Sequence, residues 1–186
     1  MVKAISSNVA GFVTIQSFVK ELRKVVVEEL EPELVNEGRR LSEMHGFPWS
    51  RPTVKAAKCV FNLVPCENKF EAAFAKFLQA ADDVERFAKL PEQFGFVIEY
   101  SDSIGNLRHY EPDFVAVTAD GVHHIVETKG QEDVNVAFKD RAAKLWVENA
   151  TKLTGNPWQY IKVRQTVFET LQPDQFADLL ATEPNG

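Results

Sequence analysis

Two short apolar runs joined by a tight turn form the clearest pattern along the chain. Residues 114–117 and 122–126 are rich in aromatic and β-branched side chains, and Ala119-Asp120-Gly121 lies between them. An Asp-Gly pair tolerates the positive φ that a tight turn requires, so the pattern predicts a β-hairpin. No other stretch of the chain combines two such runs with so specific a turn signal.

Polar residues mark the open end of this hairpin. Asp113 follows Pro112, which cannot donate to a β-ladder and is typical of a strand start. Because side chains alternate along a strand, Glu127 and Lys129 should share one face of the second strand and Thr128 the other. We therefore predict that Asp113, Glu127 and Lys129 meet at one end of a sheet.

Apolar residues at helical spacing predict two core helices around the hairpin. The first covers residues 68–88, with Asn68 as its amino-terminal cap and an apolar face formed by Phe70, Phe74, Phe77, Leu78 and Ala81. The second covers residues 134–150, with a stripe formed by Val134, Phe138, Ala142, Leu145 and Trp146. Further strands are predicted at residues 94–100, 107–117 and 158–163, and short helices at 166–171 and 174–181.

These elements predict an α/β fold with an αβββαβ core. The first three strands should form an antiparallel meander, and the helix that follows should place the fourth strand parallel to a neighbour. The result is a mixed four-stranded sheet flanked by helices, in a domain at residues 67–186. Residues 1–66 are predicted to be a helical extension or linker, with a strand at 11–15 and helices at 17–31 and 33–44. Residues 182–186 should be disordered.

Composition narrows the class of protein. The chain has 186 residues, 45% of them hydrophobic, with a formal net charge of −6 and two cysteines. No apolar run approaches the length of a membrane span and no signal peptide is evident, so a cytoplasmic protein is expected. An acidic chain is not typical of nucleic-acid binders, but the region after the hairpin is locally basic: it contains Lys139, Arg141, Lys144, Lys152, Lys162 and Arg164.

Two converging carboxylates indicate a metal site. They repel each other unless a cation lies between them, and hard oxygen ligands suit Mg²⁺ or Mn²⁺. Such an ion can polarise a phosphoryl oxygen, and the ammonium of Lys129 could stabilise developing negative charge. The plainer interpretation is a Pro-Asp turn followed by a solvated Glu-x-Lys edge strand.

Pro112-Asp113 and Glu127-Thr128-Lys129 resemble the two halves of the PD-(D/E)XK nuclease motif. With their flanks over about residues 59–164, they are similar to the carboxy-terminal nuclease region of type III restriction subunits. The resemblance implies a Mg²⁺-dependent DNA endonuclease in which Mn²⁺ could substitute. Asp113 and Glu127 would hold the ion, the Thr128 carbonyl would complete its shell, and Lys129 would position the attacking water.

The same resemblance implies roles for residues on both helices. Glu71, on the first helix, would be an auxiliary metal ligand, although a first-turn acid favoured by the helix dipole explains it equally well. Arg141 and Lys144 would contact DNA, or would simply be cations on an amphipathic surface.

The resemblance also implies partners and leaves alternatives open. Type III enzymes act with an ATP-driven motor and a methyltransferase subunit, and neither motif occurs in this chain, which has no phosphate-binding loop. A non-catalytic module for DNA binding or protein docking is the alternative function, and RNA is an alternative substrate.

Overall fold

A mixed four-stranded sheet lies at the centre of the computed structural model, which describes residues 8–26, 31–34, 38–130 and 136–182. The helices are α1 (Asn8–Val26), α2 (Lys69–Ala80), α3 (Val136–Thr154), α4 (Gln165–Leu171) and α5 (Phe176–Leu180). The strands are β1 (Thr53–Lys55), β2 (Leu63–Pro65), β3 (Val84–Lys89), β4 (Ile98–Ser101), β5 (Leu107–Tyr110), β6 (Phe114–Thr118), β7 (His123–Lys129) and β8 (Trp158–Arg164).

The strand order in the central sheet is β3-β6-β7-β8. β3, β6 and β7 are antiparallel, and β8 runs parallel to β7. With α2 before β3 and α3 between β7 and β8, this is the predicted αβββαβ order with its mixed sheet. The hairpin forms as predicted, because Gly121 adopts φ 83° in its turn and Phe114 pairs with Val126.

The first strand of this sheet is not the predicted one. The helix predicted to run to residue 88 ends at Ala80, and residues 84–89 form β3 instead. Ala81 is extended, and the carboxylate of Asp83 accepts the backbone N–H groups of Phe176 and Ala177 at 2.8 and 2.9 Å. Asp83 therefore anchors the start of α5 at the point where the sequence pattern suggested a continuing helix.

The predicted strand at residues 94–100 belongs to a different sheet. β4 pairs with β5 in a separate antiparallel ribbon that packs on α3. The predicted single strand at 107–117 is accordingly wrong, since the chain leaves the ribbon after Tyr110 and enters the central sheet at Phe114. Buried Pro112 lies in the break and has no N–H to continue a ladder.

The two long core helices cover opposite faces of the sheet. All five residues of the predicted α2 face are buried and pack with Phe114, Ala116 and Val126 from one face. On the other side, Trp146 of α3 contacts Trp158 of β8, and Tyr160 bonds to Asp140. The predicted α3 stripe is wrong at Leu145, which is 57% exposed, and Val134 lies outside the described residues.

The amino-terminal region differs most from its prediction. Residues 11–15 lie within α1 rather than in a strand, and among described residues of 33–44 the only helix is a 3₁₀ turn at Leu41–Glu43. β1 and β2 pair with each other, and Val54, Val64 and Cys66 join the core beside α2. Residues 27–30 and 183–186, parts of a predicted helix and of the predicted disordered tail, lie outside the described residues. In the part of the chain that the structure describes, no helix is long and apolar enough to span a membrane.

Candidate metal centre

The predicted site residues lie where β6 begins and β7 ends. Asp113 directly precedes β6, whereas Glu127, Thr128 and Lys129 are the last residues of β7. Because Phe114 pairs with Val126, the antiparallel register brings Asp113 opposite the end of β7. The hairpin thus brings both halves of the motif to one end of the central sheet.

The Asp113 carboxylate is held by three hydrogen bonds. Its Oδ1 accepts from Lys89 Nζ at 2.8 Å, and its Oδ2 accepts from the Thr128 N–H at 2.7 Å and the Thr128 hydroxyl at 2.6 Å. The backbone carbonyl of Asp113 also accepts from the Leu90 N–H at 2.8 Å. Thr128, which the sequence suggested as a carbonyl ligand, therefore contacts the site through its N–H and its hydroxyl.

Glu127, unlike Asp113, has a carboxylate oxygen without a hydrogen-bond partner among the described residues. Its side chain is 14% exposed, and Oε2 is a buried oxygen without a hydrogen-bond partner in the described structure. Its other oxygen, Oε1, lies 4.0 Å from Nζ of Lys129. Burial, followed by the negative charge of Asp113, raises the pKa of Glu127 to about 8. The carboxylate is thus desolvated without a full compensating partner.

Lys89 joins Glu71 to this group. Both residues are buried, at 6% and 4% exposure, and Lys89 Nζ lies 3.3 Å from Glu71 Oε2 as well as 2.8 Å from Asp113 Oδ1. Lys89 is not among the predicted site residues, because the sequence pattern predicts a helix through most of β3. A signal was present, since a lysine between Ala88 and Leu90 in an apolar stretch is expected to have a buried acidic partner.

Glu71 also completes the start of α2. Asn68 caps the helix as predicted: its Oδ1 accepts the Glu71 N–H at 2.8 Å, and its Nδ2 donates to Glu71 Oε1 at 2.9 Å. The Glu67 N–H donates to Glu71 Oε2 at 2.9 Å. Burial raises the pKa of Glu71, and the charge of Lys89 opposes that rise. The Glu71 side chain therefore both stabilises the start of α2 and contacts Lys89 of the candidate centre.

The model of a known family matches this chain. The family is described as an endonuclease domain, and the match covers residues 57–177, well over half of the chain. The chain belongs to the endonuclease domain family. No curated protein and no solved structure matches it. The matched residues of the endonuclease domain include every one of the predicted site residues.

Basic residues from α3 and β8 line a groove of the endonuclease domain at the outer edge of the sheet. Lys144 of α3 lines this groove of about 260 Å³ together with Lys162 and Arg164, whereas Arg141 is exposed outside it. Lys162 pairs in register with Glu127, and Arg164 pairs with Lys129. Lys162 Nζ donates to Asp140 Oδ2 at 2.5 Å, and the Tyr160 hydroxyl donates to Asp140 Oδ1 at 2.8 Å. The groove therefore follows the strand that pairs with Glu127 and Lys129.

The donor set at the end of β7 fits a hard divalent cation. Among the described residues, no three side chains of His, Cys, Asp or Glu converge to hold a metal. Mg²⁺ does not need such a cage, since it keeps several waters and commonly uses one or two carboxylates. The unpartnered oxygen of Glu127, close to the charge of Asp113, is a donor of the required kind.

Proposed function

We propose that the chain is a Mg²⁺-dependent DNA endonuclease domain of the PD-(D/E)XK type. The observation that carries the proposal is the buried Glu127 oxygen with no partner, in a carboxylate whose pKa is raised by burial and by Asp113. A charged group without compensation is costly to bury, and a cation beside it would offset that cost. Membership of the endonuclease domain family supports the reaction class.

Each site residue has a role in this proposal. Asp113 and Glu127 would hold the ion, and the carbonyl of Thr128 would contribute to its shell. The ion, when bound, polarises a phosphate oxygen and lowers the pKa of a bound water. Lys129, with its ammonium 4.0 Å from Glu127, positions that water or stabilises negative charge on the phosphate. Lys144 and Arg141 contact the DNA backbone, and Glu71 supports the centre from α2.

We further propose that the domain derives from a type III restriction enzyme. The support is the similarity of the flanking runs, such as Pro91–Phe96 and Asn149–Gly155, to the carboxy-terminal region of those subunits. In the parent enzyme an ATP-driven motor and a methyltransferase subunit would select the site and trigger cleavage. The domain alone should then act slowly and with little dependence on sequence, because phosphate contacts carry no sequence information.

Incubation of the purified chain with plasmid DNA and Mg²⁺ or Mn²⁺, with and without ATP, tests the proposal. We expect slow, metal-dependent nicking that ATP does not change. The matched control is Glu127→Gln, which keeps the shape of the side chain and removes its charge. Metal titration by calorimetry is the companion measurement. A chain that neither cleaves DNA nor binds Mn²⁺ would be a non-catalytic docking or DNA-binding module instead, and cleavage of RNA alone would reassign the substrate.

A further inference from the structure

Lys89 is a buried cation inside the candidate metal centre. Its side chain is 8% exposed, and Nζ lies 2.8 Å from Asp113 Oδ1, 3.3 Å from Glu71 Oε2 and 5.1 Å from the Phe114 ring centroid. An ammonium is stable at such a depth only when acidic groups compensate its charge. Lys89 is therefore part of the electrostatics of the centre and not a surface residue that happens to lie nearby.

Glu71 is fully engaged without any metal ion. Its carboxylate accepts from Asn68 Nδ2, from the Glu67 N–H and from Lys89 Nζ. The first two donors belong to the start of α2, so the position of Glu71 is set by the helix terminus. As a metal ligand, Glu71 would have to exchange at least one of these contacts for the ion.

The formal charges of Glu71, Lys89, Asp113 and Glu127 separate a neutral pair from two remaining acids. The charges of Glu71 and Lys89 cancel each other, so this pair needs no ion. Asp113 and Glu127, once Glu127 has lost its proton on binding the ion, would supply two negative charges for one divalent cation. The neutral pair lies on the α2 side of Asp113, and the unpartnered oxygen of Glu127 lies on β7.

Building on the proposed function, we propose that Lys89 is a positioning residue of the metal centre and that Glu71 acts through Lys89 rather than as a ligand. Lys89 fixes one oxygen of Asp113 by direct donation, while Thr128 fixes the other. Glu71 holds the ammonium in place from the opposite side. The Glu71–Lys89 ion pair stays intact when the ion binds. Asp113 is then already oriented by Lys89 and Thr128, whereas Glu127 gains its partner only when the ion arrives.

A crystal of the chain soaked with Mn²⁺ tests this arrangement directly, since anomalous scattering locates the ion. We expect direct coordination by oxygens of Asp113 and Glu127, with Glu71 outside coordination distance and Lys89 still in contact with both Asp113 and Glu71. An ion bound to a Glu71 oxygen, or a Lys89 side chain displaced from Asp113, would overturn the inference. A chain that binds no Mn²⁺ in any form would overturn the proposed function as well.

The variant Lys89→Met separates positioning from a merely structural role. Removing a cation should leave Mn²⁺ affinity unchanged or higher, while loss of Asp113 orientation should lower the cleavage rate roughly 10–100-fold. Lys89→Arg should restore part of that rate. Lys58→Met is the matched control, because Lys58 is a partly buried lysine whose Nζ donates to the Ala81 carbonyl, away from the centre. A folded Lys89→Met protein with unchanged cleavage, or with Mn²⁺ affinity lowered tenfold or more, contradicts the inference.

The double variant Glu71→Gln/Lys89→Met removes both charges of the pair at once. It provides a second test of the inference if Lys89→Met does not fold. Because the net charge is unchanged, its Mn²⁺ affinity should stay within about threefold of the wild type. Its cleavage rate should match that of Lys89→Met. A tenfold or greater loss of Mn²⁺ affinity in a folded double variant would mean that Glu71 is a ligand after all.

Discussion

Thr128 donates two hydrogen bonds to one oxygen of Asp113, from its N–H at 2.7 Å and from its hydroxyl at 2.6 Å. With Lys89 on the other oxygen, Asp113 is a well-satisfied carboxylate, whereas Glu127 has a buried oxygen that lacks a partner. The two proposed metal ligands therefore differ in what they do for the fold without a metal ion. Substitutions at the two positions should consequently have opposite effects on stability.

Asp113→Ala should destabilise the domain by about 1–3 kcal/mol, because it leaves the Thr128 donors and buried Lys89 without their acceptor. Glu127→Gln should raise the free energy of unfolding at neutral pH, because a buried amide does not need the proton that this carboxyl must take up on folding. Urea denaturation in the presence of a chelator measures both. Equal destabilisation by the two substitutions would contradict the contrast.

The same two substitutions should abolish Mn²⁺ binding, because each removes one of the two proposed ligands. Calorimetric titration of the folded variants is the measurement, and Asp102→Ala is the control. Asp102 is a largely buried acid whose carboxylate accepts from Asn106 and Arg108 in the turn between β4 and β5. Full Mn²⁺ affinity in both Asp113→Ala and Glu127→Gln would exclude this site.

The raised pKa of Glu127 gives the stability a defined pH dependence. In the unfolded chain the carboxyl loses its proton near pH 4.5, whereas in the fold it keeps the proton up to about pH 8. Between these values the unfolded state binds fewer protons, so the contribution of this group to stability falls as pH rises and is fully lost above about pH 8. Thermal unfolding of wild type and Glu127→Gln should therefore diverge with increasing pH in this window. Parallel curves would show that Glu127 is ionised throughout.

Metal binding should be linked to the same proton. A ligand must be deprotonated to coordinate, so Mn²⁺ binding at neutral pH should expel a proton from Glu127. Titrations in buffers of different ionisation enthalpy would detect the release. We expect Mn²⁺ affinity to rise with pH up to about 8 and then to level off.

Lys129→Ala should separate chemistry from metal binding. Its ammonium is 4.0 Å from Glu127 Oε1, so it is not required as an ion ligand but stands close to where charge develops. We expect cleavage to fall roughly 10²–10³-fold with Mn²⁺ affinity retained, the range typical for loss of one transition-state donor. Single-turnover cleavage and metal titration on the same preparation provide the comparison. A folded variant that loses the ion would reassign Lys129 to metal retention.

Lys144→Ala should reduce the salt dependence of DNA binding. A phosphate contact contributes about 0.9 to the slope of log affinity against log salt, so losing one should lower the slope by about one. Arg141→Ala should have a smaller effect, since Arg141 lies outside the groove that Lys144 lines along β8. The control is Arg86→Ala, an exposed arginine on β3 at the opposite edge of the sheet. An equal reduction of the salt dependence in Arg86→Ala would exclude the groove as the DNA-binding surface.

The sequence predicted the parts of the fold that depend on local signals. Gly121 and the alternation of β6 and β7 determined the hairpin, and the Asn68 cap determined the start of α2. The end of α2 was not predictable in the same way, because Phe87 and Ala88 continue the helical spacing. The chain leaves the helix at an extended Ala81, and Asp83 then bonds to α5, whose residues lie 93 or more positions away along the chain.

In the candidate site, too, the contacts set by local sequence were predictable and those set by tertiary packing were not. Asp113, Glu127 and Lys129 were predicted to meet because they flank one hairpin, and the structure brings them to one end of the sheet. The contact of Glu71 and Lys89 depends on how α2 packs across β3, which no local pattern encodes. The exposed Leu145 reflects the same limit, since the β4–β5 ribbon determines which side of α3 is covered.

The passage of the chain from the β4–β5 ribbon to the central sheet has a consequence for how this domain can vary in length. Only Glu111 and Pro112 separate the end of β5 from Asp113, whose carbonyl is fixed by the Leu90 N–H. One residue added there would displace Asp113 by up to ~3.3 Å, farther than its hydrogen bonds could follow. The turn at Gly105 lies at the other end of the ribbon, where Ile104 is exposed and the Asp102 carboxylate bonds to residues of the same turn. An insertion there would disturb these local hydrogen bonds without moving Asp113. Insertions, fluorescent labels or affinity tags are therefore best tolerated at the tip of the ribbon and least tolerated at its base.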